Sequence, residues 1–555
     1  MSTRLAVLGA GRMGSALARR LAGAGLRRER PRPRHHRRHH ALSAGHRRAH
    51  RDAGAVSEPR TRRLGATDHG TDGALGPAAL ALVLVASFVV VLDFSIVNVG
   101  LPSIESELGF SPTALQWVVT AYSITFGGLL ILGGAAADRF GRRRMFVMGF
   151  LVFTVASLAG GLARDPDLLV ASRAVQGIGA AMVAPAALAL ITTGFREGAA
   201  RNRALGLYGA TASVGFVAGL LVGGLLVQLF SWRAVFFVNV PVGLVAGVLS
   251  RRVLPRSDAG TAAGPVDVGG GLLITVSVAS VVYAISEGPV TGAGSPGVIG
   301  ALMLATATLA GFVVVERRHA HPLVRFGILR SRTLSSANSI TLLLGIWNGG
   351  EMIVMTLYFQ HVLHDSPALT GLAMAPQGLV GLLAGMFGAG LAARLGIRRL
   401  LMLTTTMATF GFLILSRLPA TSDYPVVLLA IALIGFGTAG TMFASTVGAS
   451  TGVIQTEQGL AGGLLNTSRQ IGAAIGAAVL LAVAEGGGHK VSGVTASISG
   501  DRHAMLAAAL VALTAAVVAW RGIEAPHRGR NVLDPCAGAV ERETRLELAA
   551  SGVEG

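Results

Sequence analysis

The sequence predicts an all-α polytopic membrane protein of about fourteen transmembrane helices. Of 555 residues, 52% are hydrophobic and only 14% charged, against about 25% charge in ordinary soluble domains. From about Pro77 to Arg521 the chain is a succession of apolar stretches. Most are long enough to cross about 30 Å of hydrocarbon as helices of about 20 residues. Their interiors are rich in Gly and Ala, which suits close helix–helix contact in lipid, and they lack the polar faces a large soluble helical protein needs.

Taken in order, the stretches run roughly 77–101, 113–137, 144–163, 168–193, 203–229, 233–250, 267–286, 297–315, 336–361, 368–393, 398–416, 425–447, 462–484 and 503–520. Arginine placement orients them. The even-numbered connections carry "DRFGRRR" (138–144), "REGAARNR" (196–203), Arg251/Arg252/Arg256, Arg317/Arg318 with Arg325, Arg330 and Arg332, and Arg394/Arg398/Arg399. The odd-numbered connections hold Glu105/Glu107, Asp165/Asp167, Glu287, Asp365 and Asp423, with far fewer arginines. By the positive-inside rule both termini are expected in the cytoplasm of a multi-pass cell-membrane protein. The net charge of +19 is then mostly loop charge, and no specific nucleic-acid partner is expected. A single cysteine, Cys536, leaves no intramolecular disulfide framework.

Before the spans, "RLAVLGAGRMGSALARRLAGAG" (Arg4 to Gly25) reads as a strand, a turn and a helix start, with Gly9, Gly11 and Gly14 at G-x-G-x-x-G spacing. It resembles the first strand–turn–helix of a reductase or dehydrogenase NAD(P)-binding domain, over about 25 residues. Such a domain needs a second strand about 20 residues on, with an acid or a basic site for the ribose. Here Arg/His/Pro-rich sequence follows instead. Residues 1–26 are therefore expected to be a truncated, non-functional fragment, with no cofactor bound and the glycines vestigial. Residues 27–75 are expected to be a disordered linker. The whole of 1–75 reads as a fusion scar or the product of a mis-called start. The His cluster there is not expected to form a dedicated metal site.

Within the spans, "VLDFSIVNVGLPSI" (Val91 to Ile104) holds one acid, Asp93. A mid-bilayer Asp costs on the order of 2.5–3.5 kcal/mol on insertion scales, so it faces a cavity or a partner. Burial penalises its charged form, which suits a group that takes and releases protons. A structural hydrogen bond, or a place near the interface, is the other reading. Span 9 reads "LLLGIWNGGEMIVMTLYFQ" (Leu342 to Gln360), with Glu351 deep inside, Trp347 and Asn348 at i−4 and i−3, and Tyr358 two turns on. That acid either holds a cation or relays a proton, or it serves packing alone. Asn98, Gln116 and Trp117 fit a cavity lining and interhelical bonding equally well.

Between spans 2 and 3 lies "GAAADRFGRRR", with Gly134, Asp138, Arg139, Gly141 and Arg142. Gly141 supplies a tight turn, and Asp138 can meet Arg142 or a neighbouring helix N-terminus. This loop resembles the signature loop of the major facilitator superfamily. "RAVQGIGAA" (Arg173 to Ala181) resembles the family's fourth-span motif, whose arginine, here Arg173, is linked to proton transfer. Gly206, Gly215, Gly219, Gly223 and Gly224 stand at the spacing of its antiporter motif. Leu220 replaces that motif's proline, which puts its characteristic bend in doubt. "WRAVFFVNVPVG" (Trp232 to Gly243) resembles the fourteen-span drug:proton antiporter branch. "GGLLNTSRQIGAAIGAA" (Gly462 to Ala478) resembles that branch's thirteenth span, with Arg469 expected near the cytoplasmic side.

The resemblance covers about residues 77–521. It implies a six-helix bundle at 76–252, two inserted spans with their loops at 253–332, a second bundle at 333–521 and a tail at 522–555. It also implies export of small amphipathic, often cationic compounds, driven by proton entry, by a monomer working through alternating access. A narrow metabolite or natural product is the alternative cargo. No G-x-x-x-x-G-K-[ST] motif is present, so an ion-driven transporter, not an enzyme or ATP-driven pump, is expected. Asp93, with Glu351 as a second site, is expected to offer protons and the substrate cation one shared negative pocket.

Overall fold

The computed structural model describes residues 75–523 apart from 197, 256–265, 320, 418–423, 452, 454–457 and 489–493. The expectations for residues 1–74, including the Gly9/Gly11/Gly14 turn, lie outside the described residues, as does nearly all of the tail. Among those described there are helices and no strands.

Among the described residues, fourteen helices are long and apolar enough to cross a membrane. Spans 1–6 are Pro77–Val99, Thr113–Phe140, Arg142–Gly161, Pro166–Gly194, Ala199–Leu229 and Ala234–Val253. Spans 7 and 8 are Val268–Thr291 and Pro296–Arg318. Spans 9–14 are Arg332–Val362, Pro367–Leu395, Ile397–Leu415, Tyr424–Ser450, Gln458–Gly486 and Ile498–Gly522.

Their starts follow from local chemistry. Proline opens spans 1, 4, 8 and 10, where its missing N–H is no loss. Asp165 caps span 4 by accepting from the Leu168 N–H at 2.8 Å, and Ser295, Ser331 and Ser366 cap spans 8, 9 and 10 in the same way. Spans 2 and 3 are separated by one residue, Gly141, at φ 96°. Spans 10 and 11 are separated by Gly396 at φ 77°. Only glycine enters that region freely, so each pair reverses direction in a single step. The two glycines hold the same place, between the second and third spans of each half, and arginines follow each: Arg142–Arg144 after Gly141, Arg398 and Arg399 after Gly396.

That internal repeat governs the packing. In the N-terminal half span 1 lies on span 5, span 2 on span 4 and span 3 on spans 4 and 6. In the C-terminal half span 9 lies on span 13, span 10 on span 12 and span 11 on spans 12 and 14. Each half buries its own principal hydrophobic cluster. The halves meet where span 5 touches span 10 and span 2 touches span 13. Both contacts pair the second span of one half with the fifth of the other, as repeats related by a two-fold axis require. Span 7 leans on spans 2 and 13, covering the second of these seams, while span 8 packs on span 7.

Candidate functional site

Asp93 is fully buried and is the centre of a hydrogen-bonded cluster inside the N-terminal half. Its Oδ2 accepts from Arg173 Nη1 at 2.6 Å. Its Oδ1 accepts from Gln176 Nε2 at 3.0 Å and from Asn239 Nδ2 at 2.7 Å. Arg173 also donates through Nε to the Val118 carbonyl at 2.8 Å and through Nη1 to Gln176 Oε1 at 2.7 Å. Gln176 donates onward to Ser157 at 2.7 Å. The guanidinium lies over the Tyr122 ring, 4.5 Å from its centre. The cluster thus joins spans 1, 2, 3, 4 and 6. Its one loose end is Arg173 Nη2, buried without a hydrogen-bond partner.

An ion pair with no access to water depends on its remaining hydrogen bonds to offset desolvation. Asp93 meets that condition with three donors. Arg173 and Asp93, singled out separately in the sequence, are brought together as an ion pair. Gln176 and Asn239 are the partners that sequence reasoning passed over. Both stand in segments already singled out, and each is a lone amide in an apolar run, which was the available signal.

The glycines of span 5 place this cluster. Gly215, Gly219 and Gly223 lie along span 1: a Cβ at Gly215 would stand 2.7 Å from the Phe88 carbonyl, at Gly219 2.8 Å from that of Leu92, and at Gly223 3.0 Å from that of Ile96. Gly224 faces the other half instead, against Pro367 and Ala368. Gly206 has nothing within 4 Å and packs nothing. Span 5 runs unbroken through Leu220, which is fully buried, as the missing proline allows.

In the signature loop, Asp138 pairs with Arg142 at 3.1 Å, one turn apart and largely exposed. Gly134 lies 3.6 Å, as Cβ, from Pro185 of span 4, and Arg143 donates to the Arg251 carbonyl at the end of span 6. The loop ties spans 2, 3, 4 and 6 together at the arginine-rich end.

Glu351 is fully buried in the C-terminal half, where its Oε2 accepts from Gln377 Nε2 of span 10 at 3.0 Å. Its Oε1 and the Gln377 Oε1 have no hydrogen-bond partner. Trp347 is buried and donates to Thr438 of span 12 at 3.1 Å, Asn348 is half-buried, and Tyr358 is buried against Phe359. Asp93 and Glu351 are held by different neighbours. Their hydrogen-bond partners come from separate halves, and Arg173 already neutralises Asp93.

Two cavity candidates also change role. Gln116 is buried and donates to Ser286 of span 7 at 2.8 Å, and Trp117 packs with Val278, Val282 and Ile471. They bind the inserted span to span 2 instead of lining a centre. Asn98 donates to its own helix, at the Phe94 carbonyl, 2.7 Å away. Arg469 stands about 16 Å along span 13 at 1.5 Å per residue. It donates to Asn466 at 3.0 Å.

The halves close at the end opposite the arginines. Span 9 finishes in a π-helical turn, Tyr358–Val362, which swings two side chains toward the other half. Gln360 donates to the Val99 carbonyl at 2.9 Å, and His361 lies 3.6 Å from Glu105 Oε2. Burial pushes the Glu105 carboxyl above its usual value, against a smaller pull downward by His361. Nearby, hydrogen bonds from Arg233 and then Trp232 hold Glu107 below its usual value. Gly371 abuts the Leu220 carbonyl, and Gly378 abuts Val217 and Phe216. Toward the arginine-rich end, Gly206, Gly209, Gly385 and Gly390 have no neighbour within 4 Å.

Two six-helix halves related by repeat, with buried charged clusters in each and a contact closed at one end, define the architecture of a secondary transporter. Residues 83–477 match the family model described as Major Facilitator Superfamily, and the chain belongs to that family. It is 40% identical over 456 residues to the puromycin resistance protein pur8 of Streptomyces alboniger, covering 80% of this chain and 90% of that one. It is 39% identical over 464 residues to the cephamycin export protein CmcT of Amycolatopsis lactamdurans, covering 81% and 94%. Among solved structures, the POT family transporter PepTSo superposes with a TM-score of 0.59 at 17% identity, over 79% of this chain and 96% of that one. That likeness concerns the fold alone.

Proposed function

We propose that this protein exports small amphipathic molecules, drugs or antibiotics among them, in exchange for protons. The observation that carries the reading is Asp93, a carboxylate placed in an apolar helix and matched to Arg173, Gln176 and Asn239. Names of similar proteins support the cargo class: puromycin resistance, cephamycin export and, at 35% identity over 396 residues, the multidrug resistance protein Stp of Mycobacterium tuberculosis. The arginine-rich connections face the cytoplasm by the positive-inside rule, which puts both ends of the membrane domain there. The contact of Gln360 with Val99 then lies on the outer side, while spans 2 and 13 stay packed toward the cytoplasm, and the protein works as a monomer in the cell membrane. The NAD(P)-like fragment takes no part in this reading.

The cycle follows from the cluster. A proton on Asp93 cancels its attraction to Arg173 and frees Oδ2, loosening span 1 from span 4. Span 1 lies on the glycine face of span 5, and span 5 touches span 10, so the change reaches the contact between halves. Glu351, with its unpartnered oxygen, is a second proton site in the other half. Each inward proton gains about 2.3 kcal/mol per 100 mV of membrane potential. One or two protons suffice to move cargo outward against gradients of tens- to thousands-fold.

Ethidium efflux from energised cells tests the reading in wild type, Asp93→Asn and Glu351→Gln, with and without a protonophore. Protonophore-sensitive efflux that is lost in Asp93→Asn is expected. A second reading, export of one natural product, is favoured by the single antibiotics named for several relatives. It predicts no ethidium efflux but resistance to one compound in a panel, again lost in Asp93→Asn.

A further inference from the structure

The inserted pair, spans 7 and 8, carries two buried acids that the transport cycle does not use. Asp267 caps span 7, its Oδ1 accepting from the Gly270 N–H at 2.8 Å. Glu316, near the end of span 8, accepts through Oε2 from the Val324 N–H at 3.1 Å. Their residues are 4% and 3% exposed. Each carboxylate so commits one oxygen to the backbone. The other two, Asp267 Oδ2 and Glu316 Oε1, are buried with no hydrogen-bond partner. They converge: the position a Cβ would take on Gly270 lies 2.6 Å from the first and 3.1 Å from the second. Glycine at 270 keeps open a space that two free carboxylate oxygens face.

Two like charges so close and so dry cannot both stay uncompensated. Among the described residues, no charged side chain hydrogen-bonds either free oxygen. His319 lies close enough to act on Glu316 electrostatically, but its ring Nδ1 is engaged by the His321 backbone. Arg317 and Arg318 are exposed. Nor is there a group of three His, Cys, Asp or Glu among the described residues that would hold a transition metal. Oxygen-only donors suit small hard cations.

We propose that Asp267 and Glu316 hold one small hard cation between them beside Gly270, an alkali metal ion or a shared proton. The site lies at the arginine-rich end, away from the Asp93 cluster. Through Glu316 it fixes the segment at Leu323 and Val324, which packs with Phe312 of span 8 and Leu464 of span 13. The cation thereby fastens the inserted pair to the C-terminal half, and it does so whatever the protein transports.

The test uses the purified full chain in nanodiscs of neutral lipid. Thermal unfolding is followed while sodium or potassium replaces choline at constant ionic strength. Infrared difference spectra against Glu316→Gln report protonated carboxyl groups at neutral pH. A saturable rise in melting temperature with sodium or potassium, absent from Glu316→Gln and Asp267→Asn, identifies an alkali ion. No response to either ion, with a carboxylic-acid band in wild type that Glu316→Gln removes, identifies the shared proton. Gly270→Ala keeps both acids and the cap but fills the space, and it is expected to abolish whichever signal wild type gives. Wild type without ion response and without that band overturns the proposal, as does an undiminished signal in Gly270→Ala.

Discussion

Asp93→Asn separates the electrostatic role of the cluster from its packing role. The substitution keeps an Oδ1 that accepts from Gln176 and Asn239, but turns an amide toward Arg173 Nη1, which now meets a donor where it had a carboxylate at 2.6 Å. Breaking one side of a buried pair costs about 3–5 kcal/mol, because the other charge is left uncompensated. For a folding unit of 150–250 residues, each kcal/mol moves the melting temperature by about 2–4 °C. The single variant is thus expected to melt roughly 6–20 °C below wild type. Asp93→Asn with Arg173→Met removes the stranded charge, and apolar replacement of a buried pair is often neutral or stabilising. The double variant is expected to recover most of the loss in detergent-solubilised protein followed by differential scanning fluorimetry. Efflux is expected to stay absent in both, since neither can exchange a proton at residue 93. Equal melting losses in the single and double variants would refute the charge argument. Protonophore-sensitive efflux by the double variant would refute the assignment of proton exchange to Asp93.

Gly219→Ala puts a methyl group against Ser95 and 2.8 Å from the Leu92 carbonyl, and overpacking of this kind costs about 1–3 kcal/mol. Gly206→Ala meets nothing within 4 Å and is expected to gain up to about 1 kcal/mol from helix propensity; melting curves of the two variants check the contrast. Trp347→Phe loses the bond to Thr438 and is expected to cost about 1 kcal/mol, read the same way. Glu105 gives a pH dependence. Burial raises its pKa in the closed arrangement, so closing takes up a proton. The closed arrangement is therefore favoured as external pH falls through the raised value, and the gain is complete below the ordinary carboxylate value. Spin labels on spans 1 and 9 should report that shift by distance, and Glu105→Gln should remove it.

How much of this was legible in the sequence depends on what each feature needs. A membrane span needs only length and hydropathy, so all fourteen were readable, with ends misplaced by a few residues where caps and arginines extend the helix past its apolar part. Asp93 and Arg173 were readable because a charge in hydrocarbon must have a partner. Which partner was not readable, since residues 80 positions apart carry no periodic signal. The amides could not be sorted the same way. Asn98, Gln116, Gln176, Asn239 and Gln377 are all single polar residues in apolar runs, yet Gln176 and Asn239 hold Asp93, Gln377 holds Glu351, Gln116 holds span 7 and Asn98 bonds its own helix.

How Asp93 and Glu351 are each held was hidden for a related reason: helical spacing ranks the faces of one span but not the half toward which a neighbouring span leans. Separate acids in separate halves also make a different machine from a single competitive pocket. In the proposed cycle a proton on Asp93 acts on the grip of span 1 within its own half, whereas one on Glu351 acts on span 10, the span that touches span 5. Both routes end at the same seam, where Gly371 abuts Leu220 and Gly224 abuts Pro367. Two proton sites can therefore drive one rocking motion without ever meeting the cargo. On this view Glu351→Gln slows the exchange between closed and open ends while leaving cargo affinity unchanged. A loss of binding with unaltered exchange would return Glu351 to the substrate pocket.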